Sequence, residues 1–239
     1  MRLPVSCMQC FNKELGPDDR VYLVRLREDG LYRTWCRHGH ETVTMLQELK
    51  FELLSEYACH AVVDGYYREA VASFTAAMER FFEFYMKVIL HTKGVNVEGI
   101  NSAWKEMSRQ SERQLGAFIM TYTLENKKAP TLVPKKQIEF RNDVIHKGLF
   151  PSREQTIKFG QAFIDCVHPV MLDLKQNYAE AVKNMILSHL KSLNNMSAST
   201  PKSTMGYPTM LNLTRVDNAR LSLSDWLEHL DQRRKTQGW

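Results

Sequence analysis

The 239-residue sequence contains no run of 18 consecutive apolar residues, which excludes a membrane-spanning helix of ordinary length. Its opening stretch, MRLPVSCMQC, has neither a basic n-region nor an apolar h-region. A secretion signal is therefore not expected, and the cytoplasm is the default compartment. No segment repeats, which sets solenoids and arrays aside. Cysteine is scarce and odd in number, five in all. A CxxC (Cys7, Cys10) with a distant Cys36 suits metal ligation in a reducing compartment better than a disulfide framework. Excess charge is small too: 32 Lys and Arg against 27 Asp and Glu leave +5. The hydrophobic content, 44%, is enough to bury one large core or two unequal ones.

What charge excess there is lies in one place. Between Lys127 and Lys158 there are eight Lys or Arg against Glu139, Asp143 and Glu154, so this window alone carries the net charge of the whole chain. Such a patch attracts a polyanion, or is a solvated loop.

Periodicity divides the chain into three sections. Residues 1–41 read as short strands and turns: 21–26 (VYLVRL) and 31–35 (LYRTW) are β-rich runs around Glu28-Asp29-Gly30, a hairpin signal with glycine where a positive φ is needed. Residues 42–193 read as helical, with apolar residues three and four apart. Five helices are expected, over 42–63, 66–92, 98–124, 135–148 and 152–193, with Pro169 kinking the last. In the second, Ala70, Phe74, Met78, Phe81, Phe82, Tyr85 and Ile89 form an apolar stripe suited to a bundle core. Cys59 and Cys166 fall on apolar helix faces and read as core. Residues 194–239 read as a tail: a Ser-, Thr-, Asn- and Pro-rich linker over 194–208, an extended TMLNLTRV, and a short amphipathic helix with Trp226, Leu227 and Leu230 on one face. A helix of about a dozen residues is marginal alone, so it is expected to dock on the protein's own bundle, the other protomer or a separate partner, with docking within the dimer favoured.

Zinc takes four soft or borderline ligands in a tetrahedron, supplied in a zinc ribbon as two pairs brought together by a hairpin. Cys7, Cys10, Cys36 and His40 meet that requirement. His38 is the alternative to His40, but a partner two residues from Cys36 is strained, and Gly39 allows a tight knuckle ending in His40. With four protein ligands the site is structural and has no open position for catalysis.

EFRNDVIHKG, residues 139–148, puts Arg141, Asn142 and His146 on one short helix. Five residues separate Arg141 from His146, about 140° around an ideal helix, so a single helix does not close a compact site from them. Asn142 and His146 share a face, and the amide can orient the imidazole or a bound phosphate. Gly148 and Pro151 place His146 in the last turn, where a helix C-terminus favours a cation. Imidazole beside guanidinium suits phosphodiester chemistry: one moves protons at neutral pH, the other neutralises transition-state charge. RNxxxH is expected by chance in only about one chain in a hundred of this length.

This RNxxxH, in a helical section whose earlier long helices include DGYYREAVASFTAAMERFFEFY, resembles the HEPN superfamily over about 150 residues. The preceding Cys and His pattern is similar to a zinc-ribbon extension that some members carry. The resemblance implies a mainly α fold, a HEPN-like bundle of about five helices behind a small β-hairpin zinc ribbon. It also implies a metal-independent endoribonuclease in which the 2′-hydroxyl attacks the neighbouring phosphate to leave a 2′,3′-cyclic phosphate, with the site shared across a homodimer. Carried over onto this sequence, Arg141 and His146 are catalytic and Asn142 supporting, and Glu79 on the second helix is a candidate polar partner. Many members act as toxins or antiphage effectors, so an inhibitor or trigger protein is a further expected partner beside RNA. The tyrosine that nucleotidylated members carry two residues after the histidine is Gly148 here, so the resemblance does not extend to that mode of silencing. Two other readings remain: a bundle that binds nucleotide or protein without catalysis, and a zinc-ribbon nucleic-acid adaptor whose bundle only dimerises.

Overall fold

The computed structural model describes residues 1–11, 22–193, 200–214 and 222–237. In chain order its elements are β1 (Arg2–Val5), α1 (Met8–Phe11), β2 (Tyr22–Arg25), β3 (Leu31–Trp35), β4 (Glu41–Leu46), α2 (Lys50–Val63), α3 (Tyr67–Thr92), α4 (Val97–Met107), α5 (Ser111–Asn126), α6 (Lys135–His146), α7 (Arg153–Asn177), α8 (Ala179–Leu193), β5 (Lys202–Met205) and α9 (Leu223–Gln237). The chain is mainly helical with small antiparallel β structure at its N-terminus. None of the described helices is long and apolar enough to cross a membrane. The chain forms two compact units, Met1–Leu49 with Asn184–Pro208, and Lys50–Lys183 with Thr209–Trp239.

In the first unit, β1 and β2 pair antiparallel from Arg2↔Arg25 to Val5↔Tyr22. β3 and β4 pair antiparallel from Leu31↔Met45 to Trp35↔Glu41. The runs on either side of Gly30 are strands, yet they do not form the expected hairpin with each other: β2 belongs to one sheet and β3 to another. Gly30 does take a positive φ, 60°, in the turn between them. Thr42–Leu46, expected to open the first helix, is instead strand β4. Its Thr-Val-Thr core is β-branched and fits a pleated surface, and Thr42 meets Thr34 across the pair, hydroxyl to hydroxyl at 3.2 Å. The other edge of β4 is covered by β5, which runs parallel to it from Val43↔Lys202 to Leu46↔Met205. That strand lies inside the stretch expected to be a linker, of which residues 194–199 lie outside the described residues.

The second unit is built round α3, which packs on α2, α4, α5, α6 and α7. All seven residues of the expected stripe are buried. Phe74 meets Phe163 of α7, Phe82 stacks on Phe118 of α5 at 4.2 Å, and Phe81 meets Phe51 of α2 edge-on. At Gly160 of α7 an added Cβ would lie 2.8 Å from the Phe74 ring and 2.5 Å from Leu223, so α3, α7 and α9 approach as closely as they do because that residue has no side chain.

Two expected long helices are each divided. Residues 98–124 become α4 and α5, with Gln110 extended between them, and residues 152–193 become α7 and α8, separated at Tyr178. α7 opens on a capping box, Ser152 with Gln155, and continues through Pro169. At the C-terminal end α9 lies against α2 and α7 of its own chain, with Leu223, Leu227 and Leu230 buried and Trp226 half-buried. The tail helix thus docks on its own bundle, one of the surfaces expected for it. Of TMLNLTRV, residues 209–214 belong to this helical unit and the last two lie outside the described residues.

Candidate functional site

Two short elements of the first unit bring four metal-ligating side chains together. Cys7 and Cys10 are fixed by the single turn of α1, where the Cys10 N–H donates to the Cys7 carbonyl at 3.2 Å. Cys36 and His40 bracket the β3–β4 turn: the Cys36 N–H donates to the His40 carbonyl at 3.1 Å and the Gly39 N–H to the Cys36 carbonyl at 3.0 Å. Gly39 makes this knuckle possible with φ of 76°.

The three Sγ atoms and a ring nitrogen of His40 all lie within 4.8 Å of one another. Cys10 and Cys36 sulfurs are 3.7 Å apart, and His40 Nδ1 is 3.5 Å from Cys10 Sγ and 3.8 Å from Cys7 Sγ. A tetrahedral zinc with ordinary bond lengths sets sulfur–sulfur edges of about 3.8 Å and sulfur–nitrogen edges of about 3.6 Å. The cluster therefore has the dimensions of a Cys3His site that could hold a metal ion. His38 is exposed and its ring nitrogen lies 3.4 Å from Cys10 Sγ, but it is His40 whose nitrogen lies close to all three sulfurs and completes the mutual set. Burial, with the adjacent Cys7 and Cys36 sulfurs, pushes the Cys10 thiol up to about 11. Burial pushes Cys36 the same way, but N–H donation from His40 and His38 outweighs it and leaves that thiol below its ordinary value. A cation at the centre of three crowded sulfurs favours the thiolate at each of them.

The RNxxxH segment lies in the second unit, on α6. Pro134 precedes the helix, and its buried Val144, with Phe140 against Phe159 of α7, sets which face turns inward. Arg141 is thereby brought to the side of α3. Its Nη1 donates to Asn142 Oδ1 at 2.8 Å and its Nη2 lies 3.7 Å from Glu79 Oε1. Its Nε is buried and, among the described residues, without a hydrogen-bond partner. Burial raises the Glu79 pKa, Arg141 and Arg80 oppose the rise, and the Glu112 carboxylate adds to it. Asp143 pairs with Lys147 at 2.7 Å. His146 is exposed in the last turn, just before the positive-φ Gly148 where the Leu149 N–H closes the helix end on the Asp143 carbonyl.

The structure thus brings Arg141, Asn142 and Glu79 together and leaves His146 at the exposed end of the same helix. Asn142, expected to orient the imidazole or a bound phosphate, accepts from Arg141, whose guanidinium fork reaches along the helix to its immediate neighbour. Searches of family models, curated proteins and solved structures find no match to this chain.

A second polar constellation was not anticipated. On α2, Glu52 and Glu56 are buried and four residues apart. Glu52 Oε1 accepts the Leu213 N–H at 2.7 Å; Glu56 accepts the Met210 N–H at 3.0 Å, the Trp226 indole N–H at 2.9 Å and Arg233 at 3.1 Å. Burial pushes Glu56 up to about 7 against the pull of Arg233 and these donors. The pair supplies acceptors for a backbone segment without ladder partners, and is a fastening for the C-terminal residues. Its sequence signal, two acids spaced i, i+4 beside Ala58 and Cys59, is no different from that of an exposed helix face.

Proposed function

We propose that the chain is a metal-independent endoribonuclease of the HEPN type, acting as a homodimer, with a structural zinc in its Cys3His cluster. The observation that carries this reading is the state of Arg141: a half-buried guanidinium steadied by Asn142 and Glu79, on the helix whose exposed last turn holds His146. A guanidinium held in place is suited to charge that develops on a phosphate, and an exposed imidazole is suited to moving a proton.

In the reaction the substrate's 2′-oxygen gives up its proton and bonds to the adjacent phosphorus, and the P–O5′ bond breaks. The 5′-oxygen leaves with a proton, giving a 2′,3′-cyclic phosphate and a 5′-hydroxyl. His146 moves the proton, and Arg141 neutralises charge on the non-bridging oxygens. Because the two residues diverge by about 140° on one helix, a second copy of α6 completes the site. Support for that face comes from Phe150, 87% exposed, with Leu149 beside it and Leu132 before the helix, also exposed. A large apolar side chain so exposed at the end of the motif helix favours a protein interface there. In this reading RNA cleavage serves growth arrest, as a toxin or antiphage effector answering to an inhibitor or trigger protein.

The deciding experiment incubates labelled RNA with the protein in the presence of a chelator, comparing wild type with His146→Ala. Cyclic-phosphate ends from wild type alone support the reading. Equal cleavage by a folded variant removes His146 from the mechanism, and no cleavage by wild type removes the activity.

A further inference from the structure

Lys105 in the last turn of α4, Arg109 in the turn that follows, and Arg113 in the first turn of α5 line a concavity of about 280 Å³ with Glu106 and Gln110. Three cations face one carboxylate there. Among the described residues none of the three is ion-paired; Arg113 Nη1 donates only to the Glu106 backbone carbonyl, at 3.2 Å. Several other cations of the chain do sit beside a counter-charge. Lys135, Lys147 and Lys158 each sit beside a carboxylate four residues away. In a concavity of about 500 Å³ on the first unit, Arg27 and Arg33 are held by Asp29 and Glu41. Like charges gathered on a concave wall without counter-charges repel one another and focus their field into the hollow. An anion seated there relieves the repulsion.

The hollow is tied to the motif through the buried Gln114 and the half-buried Arg80 and Glu79. Gln114, 2% exposed, donates from Nε2 to the Ser108 carbonyl at 2.8 Å, which pins the α4–α5 turn, and its Oε1 accepts from Arg80 Nη2 at 3.0 Å. Arg80 follows Glu79 on α3, and Glu79 faces Arg141. Glu112, one residue before Arg113, is close enough to raise Glu79. The α4–α5 turn and the motif guanidinium therefore share one side of α3.

We propose that Lys105, Arg109 and Arg113 form a second phosphate subsite, holding a backbone phosphodiester of a single-stranded RNA whose cleaved linkage lies at Arg141. This rests on the ribonuclease reading for the identity of the strand. No aromatic ring lines the hollow, so no base is stacked there. The subsite takes the sugar–phosphate backbone, and positions the strand without reading its sequence.

The test uses the full chain carrying His146→Ala, with and without Lys105→Gln, Arg109→Gln and Arg113→Gln together. Binding of two unrelated fluorescent single-stranded RNAs is followed by anisotropy from low to high salt. Each phosphate neutralised on a single strand adds about 0.7 to the log–log salt slope, so the triple substitution, which removes one phosphate contact, is expected to lower the slope by about 0.7. The loss should be the same for both sequences. If the triple variant does not keep the melting profile of its parent, Arg109→Gln alone serves, with a smaller drop in slope and a loss of affinity expected. An unchanged slope and affinity overturn the subsite. If wild type does not cleave RNA yet the slope falls, the catalytic reading fails and the phosphate subsite stands. If wild type cleaves and the slope does not move, the subsite fails and the catalytic reading stands. Absence of RNA binding overturns both.

Discussion

Arg141 of α6 and Glu79 of α3 face each other at 3.7 Å, and the same guanidinium donates to Asn142 on its own helix. The pair is half-buried, which sets it apart from the exposed ion pairs of this chain such as Lys135–Glu139. A guanidinium restrained from two sides loses little freedom if a phosphate arrives, so in the proposed reaction the part of Glu79 and Asn142 is to position Arg141.

Replacing Arg141 or His146 by alanine is expected to lower RNA cleavage by about two to four orders of magnitude, the usual range for a proton-transfer group. Induced expression of the wild type should slow host growth, and either variant should relieve it. Growth curves, with melting profiles to establish folding, check this; folded variants as toxic as wild type contradict the assignment.

Phe150→Asp places a charge on the exposed apolar residue that follows α6. Light scattering should report two chains for wild type and one for the variant, and cleavage should fall with the dimer. An active monomer would remove the need for a second copy of the helix.

Purified protein is expected to contain close to one zinc per chain, and less than about half an equivalent would sink the proposal. Stripping the metal, or Cys10→Ser, should unfold the β3–β4 knuckle while the α3-centred helices, which have their own aromatic core, keep their circular dichroism signal. Loss of helicity in parallel with loss of metal would show the two to be one cooperative structure.

Glu56 supplies a pH test. Its carboxyl is pushed from 4.5 to about 7 by burial, so the folded chain binds a proton more tightly than the unfolded one. The stability this contributes is fully present below about 4.5 and is lost as pH rises through 7, on the order of 3 kcal/mol in all. Glu56→Gln removes the titrating group. The melting temperature of wild type relative to the variant should therefore fall by several degrees between pH 5 and pH 8. A difference that stays flat, or that grows in favour of wild type, contradicts the burial argument.

Several of these features could be read along the chain because they are local. The CxxC turn and the Cys36–His40 knuckle need only neighbouring residues, and the α3 stripe declares its period over about five turns. What could not be read is non-local. LYRTW carries no mark saying whether it pairs with the strand before or after it, and the choice of β4 is made by cross-strand partners such as Thr34 and Thr42. KSTM has the composition of a linker and becomes a strand because the parallel edge of β4 offers it hydrogen bonds. Glu52 and Glu56 look like solvent-facing acids until the backbone of Met210 and Leu213 arrives to donate to them. At the motif, Arg141, Asn142 and His146 were legible as residues, while the bond that ties Asn142 to Arg141 depends on a choice between two neighbours that spacing alone does not make.

The pairing of β4 with β5 joins residues 159 positions apart, Thr44 with Ser203 among them. On a ribosome adding about 5–20 residues per second, β4 emerges roughly ten to thirty seconds before the strand that covers its edge. During that interval Val43 and Met45 lie on a strand with one open side, the arrangement that recruits neighbouring nascent chains. A message truncated before codon 200 makes that interval permanent. The first unit is thus assembled from two stretches far apart in the sequence, and β4 keeps an open edge until the second has been made.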